Sequence, residues 1–334
     1  MNWQMIGHEW AVHLLKQHVI NEQVRHAYLF TGPQGIGRRT LALRLAQALN
    51  CLQPPAPGEA CGVCRACVQL ERMQHPDLFV VQAEQRGGVL KVEQVRELQR
   101  SLSLAPYETR YRVALLLHFE EANQNAANAL LKTLEEPGSQ VVLILTAENA
   151  EILLPTIVSR CEILRLRPLP VEQVSQGLQD LWGASAERSQ LLASISSGRL
   201  GYAVRLFQNP EQDEQRTIWL TDLMQVLEAN RVERFHFAEA FAKDKESARG
   251  LLLVWLSFWR DVLMKSAGSA VLAANLDYSD QIALLADRFG LRSAHQASLA
   301  LERTIEMLDK NVNLRLALEV LMLDLPGLDL PGNG

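Results

Sequence analysis

Four of the five cysteines, Cys51, Cys61, Cys64 and Cys67, are spaced C-x9-C-x2-C-x2-C. Two Cys-x-x-Cys steps can set three sulfurs around one point, and the Pro- and Gly-rich LQPPAPGEA before Cys61 can fold back to bring the fourth. Four thiolates leave no open coordination position. The chemistry expected is therefore a structural zinc site without a catalytic water. Buried free thiols, an iron–sulfur cluster, and His75 of the HPD turn as a substitute ligand are the alternatives. Crowding of four thiols argues against the first, and nothing else in the chain points to electron transfer.

A second group is TGPQGIGRRT, which follows the apolar run AYLF. Gly32, Gly35 and Gly37 give the Gly-x4-Gly spacing of a phosphate loop, where backbone N–H groups and a helix N-terminus bind anions. The next two positions break the pattern. Arg38 stands where a lysine reaches the terminal phosphates, and Arg39 stands where a hydroxyl ligates magnesium, with Thr40 one residue late. Two readings stay open: a loop kept for its turn geometry, or one that binds nucleotide without turnover. Phosphoryl transfer also needs an acidic pair at the end of a core strand. Counted back from AANALLK, those slots hold Leu117 and His118, and Glu120 and Glu121 lie two to three residues further on. Hydrolysis is not expected. The competing reading is an active ATPase that uses Glu120 or Glu121.

The third group is Ser159, Arg160 and Cys161 in PTIVSRC, at a helix end just before an apolar strand. From spacing alone Arg160 reads as a surface charge or a carboxylate's partner. Lys132 and Glu135 of LLKTLEEP sit one turn apart and read as an exposed i, i+3 pair without chemistry. Arg65 and Arg72 are the main cationic neighbours of the cysteines, too few for phosphate reading by that module.

Five apolar runs must position these residues: AYLF, LFVV, VALLL, VVLIL and CEILRL, beginning near Ala27, Leu78, Val113, Val141 and Cys161. Helical patterns follow Thr40, Val92 and Asn125, an alternation that predicts a parallel sheet covered on both faces. Pro168 and Pro170 mark a hinge, and from Val171 onward only helical periodicity appears. The expected organisation is an α/β domain over 1–167 with the cysteine module at 51–67, a small helical lid over 168–207 and a larger helical domain over 208–330. The tail LPGLDLPGNG is expected to fray.

A chain of 334 residues with 48% hydrophobic residues can fill two or three cores. A net charge of −5 argues against coating DNA over the whole surface and leaves contact by one face or through partners. The first residues lack a signal-peptide core. LLLVWLSFWRDVLM, from Leu251 to Met264, is too short to span a bilayer and carries Arg260 and Asp261, so a buried helix and a cytoplasmic protein are expected.

Taken together, RHAYLFTGPQGIGR, the four cysteines, HPDLFVV, AANALLKTLEEP and PTIVSRC resemble the bacterial clamp-loader AAA+ family over most of the first 165 residues. The resemblance implies an AAA+ P-loop-like domain, a lid, and an all-α collar built from segments such as NVNLRLALEVLM. It also implies that Arg160 projects in trans into the ATP site of a neighbouring subunit, where such fingers give about 10³–10⁵ in rate. Thr146 would be a phosphate sensor, and Cys161 strand packing. The family's hydrolysing tau/gamma-type members keep the lysine, the hydroxyl, the acidic pair and a lid arginine. Here that last slot holds Gly201, with Arg199 nearby. The delta subunit lacks both the cysteines and SRC. The departures therefore fit the family's non-hydrolysing, SRC-bearing member. The resemblance implies a five-subunit ring with tau/gamma-type ATPases and a delta subunit. That ring opens a sliding clamp and places it on primer–template DNA, with ATP bound by the partners.

Overall fold

The computed structural model describes residues 3–328, apart from 86, 272 and 311. Part of the tail expected to fray, from 329 on, lies outside the described residues.

The five apolar runs form β1 (Ala27–Thr31), β2 (Leu78–Val81), β3 (Arg112–Leu116), β4 (Val141–Ala147) and β5 (Glu162–Arg165). They pair in one all-parallel sheet in the order β2-β3-β4-β1-β5. The central strands β1, β3 and β4 are buried at every residue, so their sequences show continuous apolar runs and no alternation. One face of the sheet packs Tyr28, Phe30, Val113, Leu115 and Ile144 against α1 (Glu9–Ile20) and α2 (Arg38–Asn50). The other packs Leu29, Leu116, Leu143 and Leu145 against α4 (Val92–Leu102) and α5 (Gln124–Glu135). α3 (Arg65–Glu71) lies beside α2, and α6 (Pro155–Val158) beside α5.

Because all strands run one way, their carboxyl ends share one edge. Pairing of Thr31 with Ala147, and of Leu116 with Leu145, brings the turns after β1, β3 and β4 together there.

The chain divides into two compact units, residues 1–177 with 198–202, and residues 178–197 with 203–334. The helical stretch 168–207 is thus shared between them: α7 (Val171–Trp182) and α9 (Leu200–Gln208) each cross the division, and α8 (Ala186–Ile195) belongs to the second unit.

The second unit continues with α10 (Pro210–Glu228), α11 (Arg231–Phe241), α12 (Lys245–Ser266), α13 (Ser279–Asp309) and α14 (Leu314–Asp324). Its core centres on the apolar segment of α12, with Leu251, Leu252, Trp255, Phe258, Trp259 and Val262 buried against α10, α13 and α14. Asp261 is buried on that helix and is satisfied by the N–H groups of Ala274 and Asn275. No helix of the described residues is long and apolar enough to cross a membrane.

Candidate functional site

The β1–α2 turn keeps the form of a phosphate loop. Gly32 has φ +142°, and a Cβ there would stand 2.5 Å from the Leu166 carbonyl oxygen, so only glycine fits. Arg38 opens α2 and is only 5% exposed. Burial pushes its guanidinium down from its ordinary value, against the upward pull of the Glu120 and Glu148 carboxylates. Its Nη1 is buried with no hydrogen-bond partner. Arg39 and Thr40, the next two residues of the helix, are both exposed.

Residues 198–202 lie on this loop. The Gly201 N–H donates to the Gly35 carbonyl at 2.8 Å. A Cβ on Gly201 would meet that oxygen at 2.9 Å, so the slot read as that of a lid arginine has no room for a side chain. Arg199 instead stacks its guanidinium 4.8 Å from the Tyr202 ring centroid, and burial pushes it down from its ordinary value.

At the end of β3, Leu117 is buried and His118 takes a left-handed conformation with φ 51°. The His118 N–H donates to Thr146 Oγ1 at 3.0 Å, so the buried threonine at the β4 end orders the turn. A 3-10 turn, Phe119–Glu121, follows. Glu121 Oε1 accepts the Gly87 N–H at 2.9 Å. Glu120 stands 3.7 Å from His118 Nδ1 and keeps Oε2 buried without a partner.

The cysteines converge. Cys51 caps the end of α2, Cys64 precedes α3, and Cys67 is fully buried on α3. All four sulfurs lie within 4.8 Å of one another, and those of Cys61 and Cys67 are 3.9 Å apart. Tetrahedral zinc with thiolates at about 2.3 Å demands sulfur–sulfur edges of about 3.8 Å, so the set fits a metal ion. The N–H of Cys64 donates to Cys61 Sγ, chiefly holding that thiol down at about 6, while burial pushes Cys51 and Cys67 up. The excursion between Cys51 and Cys61 is tied to the amino-terminal region by Trp3 Nε1–H donating to the Gly58 carbonyl at 3.0 Å and by the Lys16–Glu59 pair at 2.9 Å.

His75 is not part of the cluster. Its Nδ1 accepts the Asp77 N–H, and its Nε2 lies 3.4 Å from Glu108. Arg65 is largely exposed, 4.0 Å from Glu108.

Arg160 follows α6, whose C-cap is Ser159. Its Nη1 donates to the Thr156 carbonyl at 2.8 Å and its Nη2 to Glu135 Oε1 at 2.7 Å. Glu135 Oε1 is thus engaged by an arginine 25 residues along the chain, where the spacing had allowed an exposed pair with Lys132. No spacing rule signals that contact, because it depends on α6 packing beside α5. Cys161 packs half-buried on the sheet's second face, and burial pushes its thiol up to about 12. The contact of residues 198–202 with the loop was equally invisible in the sequence.

Five parallel strands in this order, with a glycine-rich turn of phosphate-loop spacing at their carboxyl edge, define an AAA+-type α/β fold whose loop carries Arg38 and Arg39 after its last glycine. A family model described as DNA polymerase III, delta subunit, matches residues 7–170. The DNA polymerase III subunit delta' of Bacillus subtilis strain 168 is 32% identical over 316 residues, 93% of this chain and 93% of its own. Subunit delta' of Pseudomonas aeruginosa PAO1 is 41% identical over 202 residues, 59% of this chain and 60% of its own. Subunit tau of Escherichia coli K12 is 34% identical over 207 residues, 60% of this chain and 32% of its own. The chain belongs to the family of delta-prime subunits of the DNA polymerase III clamp loader.

Proposed function

We propose that this chain is the ATPase-silent member of its clamp loader, contributing Arg160 in trans to the ATP site of a neighbouring tau/gamma-type subunit. The silence rests above all on the covered loop, where the Gly201 N–H on the Gly35 carbonyl closes the place a lid arginine would occupy. Arg38 buried in the lysine slot, and Leu117 and His118 in the acidic slots, support it independently. The unpartnered Glu120 Oε2 favours the second reading, an active ATPase. Its carboxylate acts on Arg38, however, and the chain supplies neither the magnesium hydroxyl nor the lysine beside it.

Arg160 supports the in trans role by its place: at a helix end, side chain 35% exposed, with a guanidinium that keeps donors beyond the two it spends on Thr156 and Glu135. When a neighbour's ATP site is docked against it, the cation would neutralise charge developing on the transferring phosphoryl group. The chain itself moves no proton and cleaves no bond.

Cys51, Cys61, Cys64 and Cys67 would hold a zinc ion whose role is to cross-link the α2–α3 loop, because four thiolates leave no site for a reactive water. The complex, with delta and tau/gamma-type subunits in a five-membered ring, would open a sliding clamp and set it on primer–template DNA in the cytoplasm.

The test is ATP turnover by the isolated chain and by the reconstituted complex, wild type and Arg160→Ala. Negligible turnover alone and a reduced DNA- and clamp-stimulated rate in the variant complex are expected. Substantial turnover by the isolated wild-type chain would overturn the silent reading, and an unchanged rate for Arg160→Ala would overturn the in trans role.

A further inference from the structure

The SRC arginine sits on a poor platform. α6 has only four residues, and an arginine side chain has many rotamers to lose before it can act at a fixed point. What fixes it comes from another helix. α5 is capped by Asn123 at its start, and Leu130 and Leu134 are buried in the core. The Gln99 amide of α4 donates to Ala129 O at 2.8 Å and to Thr133 Oγ1 at 2.9 Å. Glu135 is the last residue of this braced helix, and the negative end of the helix dipole adds to its carboxylate there. The guanidinium of Arg160 spans from this end to the Thr156 carbonyl of its own turn, a two-point hold.

We propose that Glu135 is a positioning residue for Arg160: it holds the guanidinium in one rotamer so that the neighbour's phosphoryl group meets a preorganised cation. The proposal rests on the in trans role given above. Glu135 is half exposed, so the ion pair adds little to folding stability, and its consequence falls on the placement of the arginine. Two bonds use only part of the five-donor fork, and the remaining N–H groups are left for phosphoryl oxygens.

The experiment uses the reconstituted clamp loader with full-length chains and reads DNA- and clamp-stimulated ATP turnover. Glu135→Ala is expected to lower the maximal rate by about three- to tenfold, the scale of freeing one side chain from its working geometry, while assembly affinity and thermal unfolding stay unchanged. Glu135→Gln keeps an acceptor oxygen and is expected to restore most of the rate, a rescue that a purely structural role would not show. In an Arg160→Ala background, Glu135→Ala should have no further effect. Should Glu135→Ala fail to fold, Glu135→Gln and Glu135→Lys make the same comparison, with the lysine expected to lower the rate at least as far. A wild-type or faster rate for Glu135→Ala or Glu135→Lys, with Arg160→Ala still slow, overturns the positioning role alone. A full-sized further loss in the Arg160→Ala background overturns it as well. If Arg160→Ala itself leaves the rate unchanged, the in trans reading falls, and this proposal falls with it.

Discussion

Arg234→Met tests how the last helix of the second unit is held. Arg234 is 4% exposed, and burial pushes its guanidinium down from its ordinary value. It donates to the carbonyls of Met322, Leu325 and Pro326 at 2.9, 2.7 and 2.8 Å, and to that of Ala229 at 3.2 Å. Three of these acceptors are at or just beyond the end of α14, where carbonyls have no partner within the helix. Methionine keeps the apolar stem and removes every donor. Hydrogen bonds to a charged donor contribute about 1.5–3 kcal/mol each, and stranded carbonyls cost about 1–3 kcal/mol where water cannot reach them. Against this stands relief from burying the guanidinium, several kcal/mol by itself. The difference is a net loss of about 3–4 kcal/mol, or roughly 6–16 °C in melting temperature at about 2–4 °C per kcal/mol for a unit of this size. Thermal unfolding followed by tryptophan fluorescence is the assay, since Trp219, Trp255 and Trp259 all pack in this unit's core. A melting temperature within about 2 °C of wild type would refute the claim that this cation holds the end of α14.

Two further outcomes follow from the first unit. Metal analysis of the purified chain should find about one zinc per chain, and Cys64→Ser should lose it while the rest of the unit stays folded, because the sheet core does not depend on the α2–α3 loop. A zinc-free wild-type protein would remove the metal assignment. Asp77 is fully buried. Burial alone would raise its carboxyl, but the N–H groups of Tyr107, Glu108 and Thr109 with the Thr109 hydroxyl outweigh it and hold the group below the usual range. With the folded value depressed, its contribution is complete above pH about 4 and drains away as pH falls through that value to the lower folded one. Asp77→Asn should therefore be less stable than wild type at neutral pH, with the gap closing in acid. A gap that stays constant across that window would show that the charge does not matter.

Much of the first unit was legible in the sequence for a physical reason. A strand buried on both faces must be apolar throughout, so VALLL and VVLILTA announced central parallel strands without further context. Local spacing likewise revealed the cysteine cluster, because short steps along one turn and one pliable loop determine which sulfurs can meet. The departures from the phosphate-loop pattern, Arg38 and Arg39 in one segment and Leu117 and His118 in another, were visible because residue type alone decides what a side chain can ligate.

Contacts between elements far apart in sequence were decided only by folding. Nothing in SSGRLGYA says that Gly201 will donate its N–H to Gly35, about 170 residues earlier, and so cover the loop. Residue spacing allowed Glu135 a partner one turn away in Lys132, whereas packing of α6 beside α5 brings Arg160 to it. Residues 168–177 and 198–202 find their contacts with the sheet unit, which no local signal after Pro168 announces. Residue identity and local period therefore determined where the chain departs from the phosphate-loop pattern and which cysteines can meet. The tertiary structure decided which side chains hold Arg160 and what closes the phosphate loop, because those depend on distances that only a packed core sets.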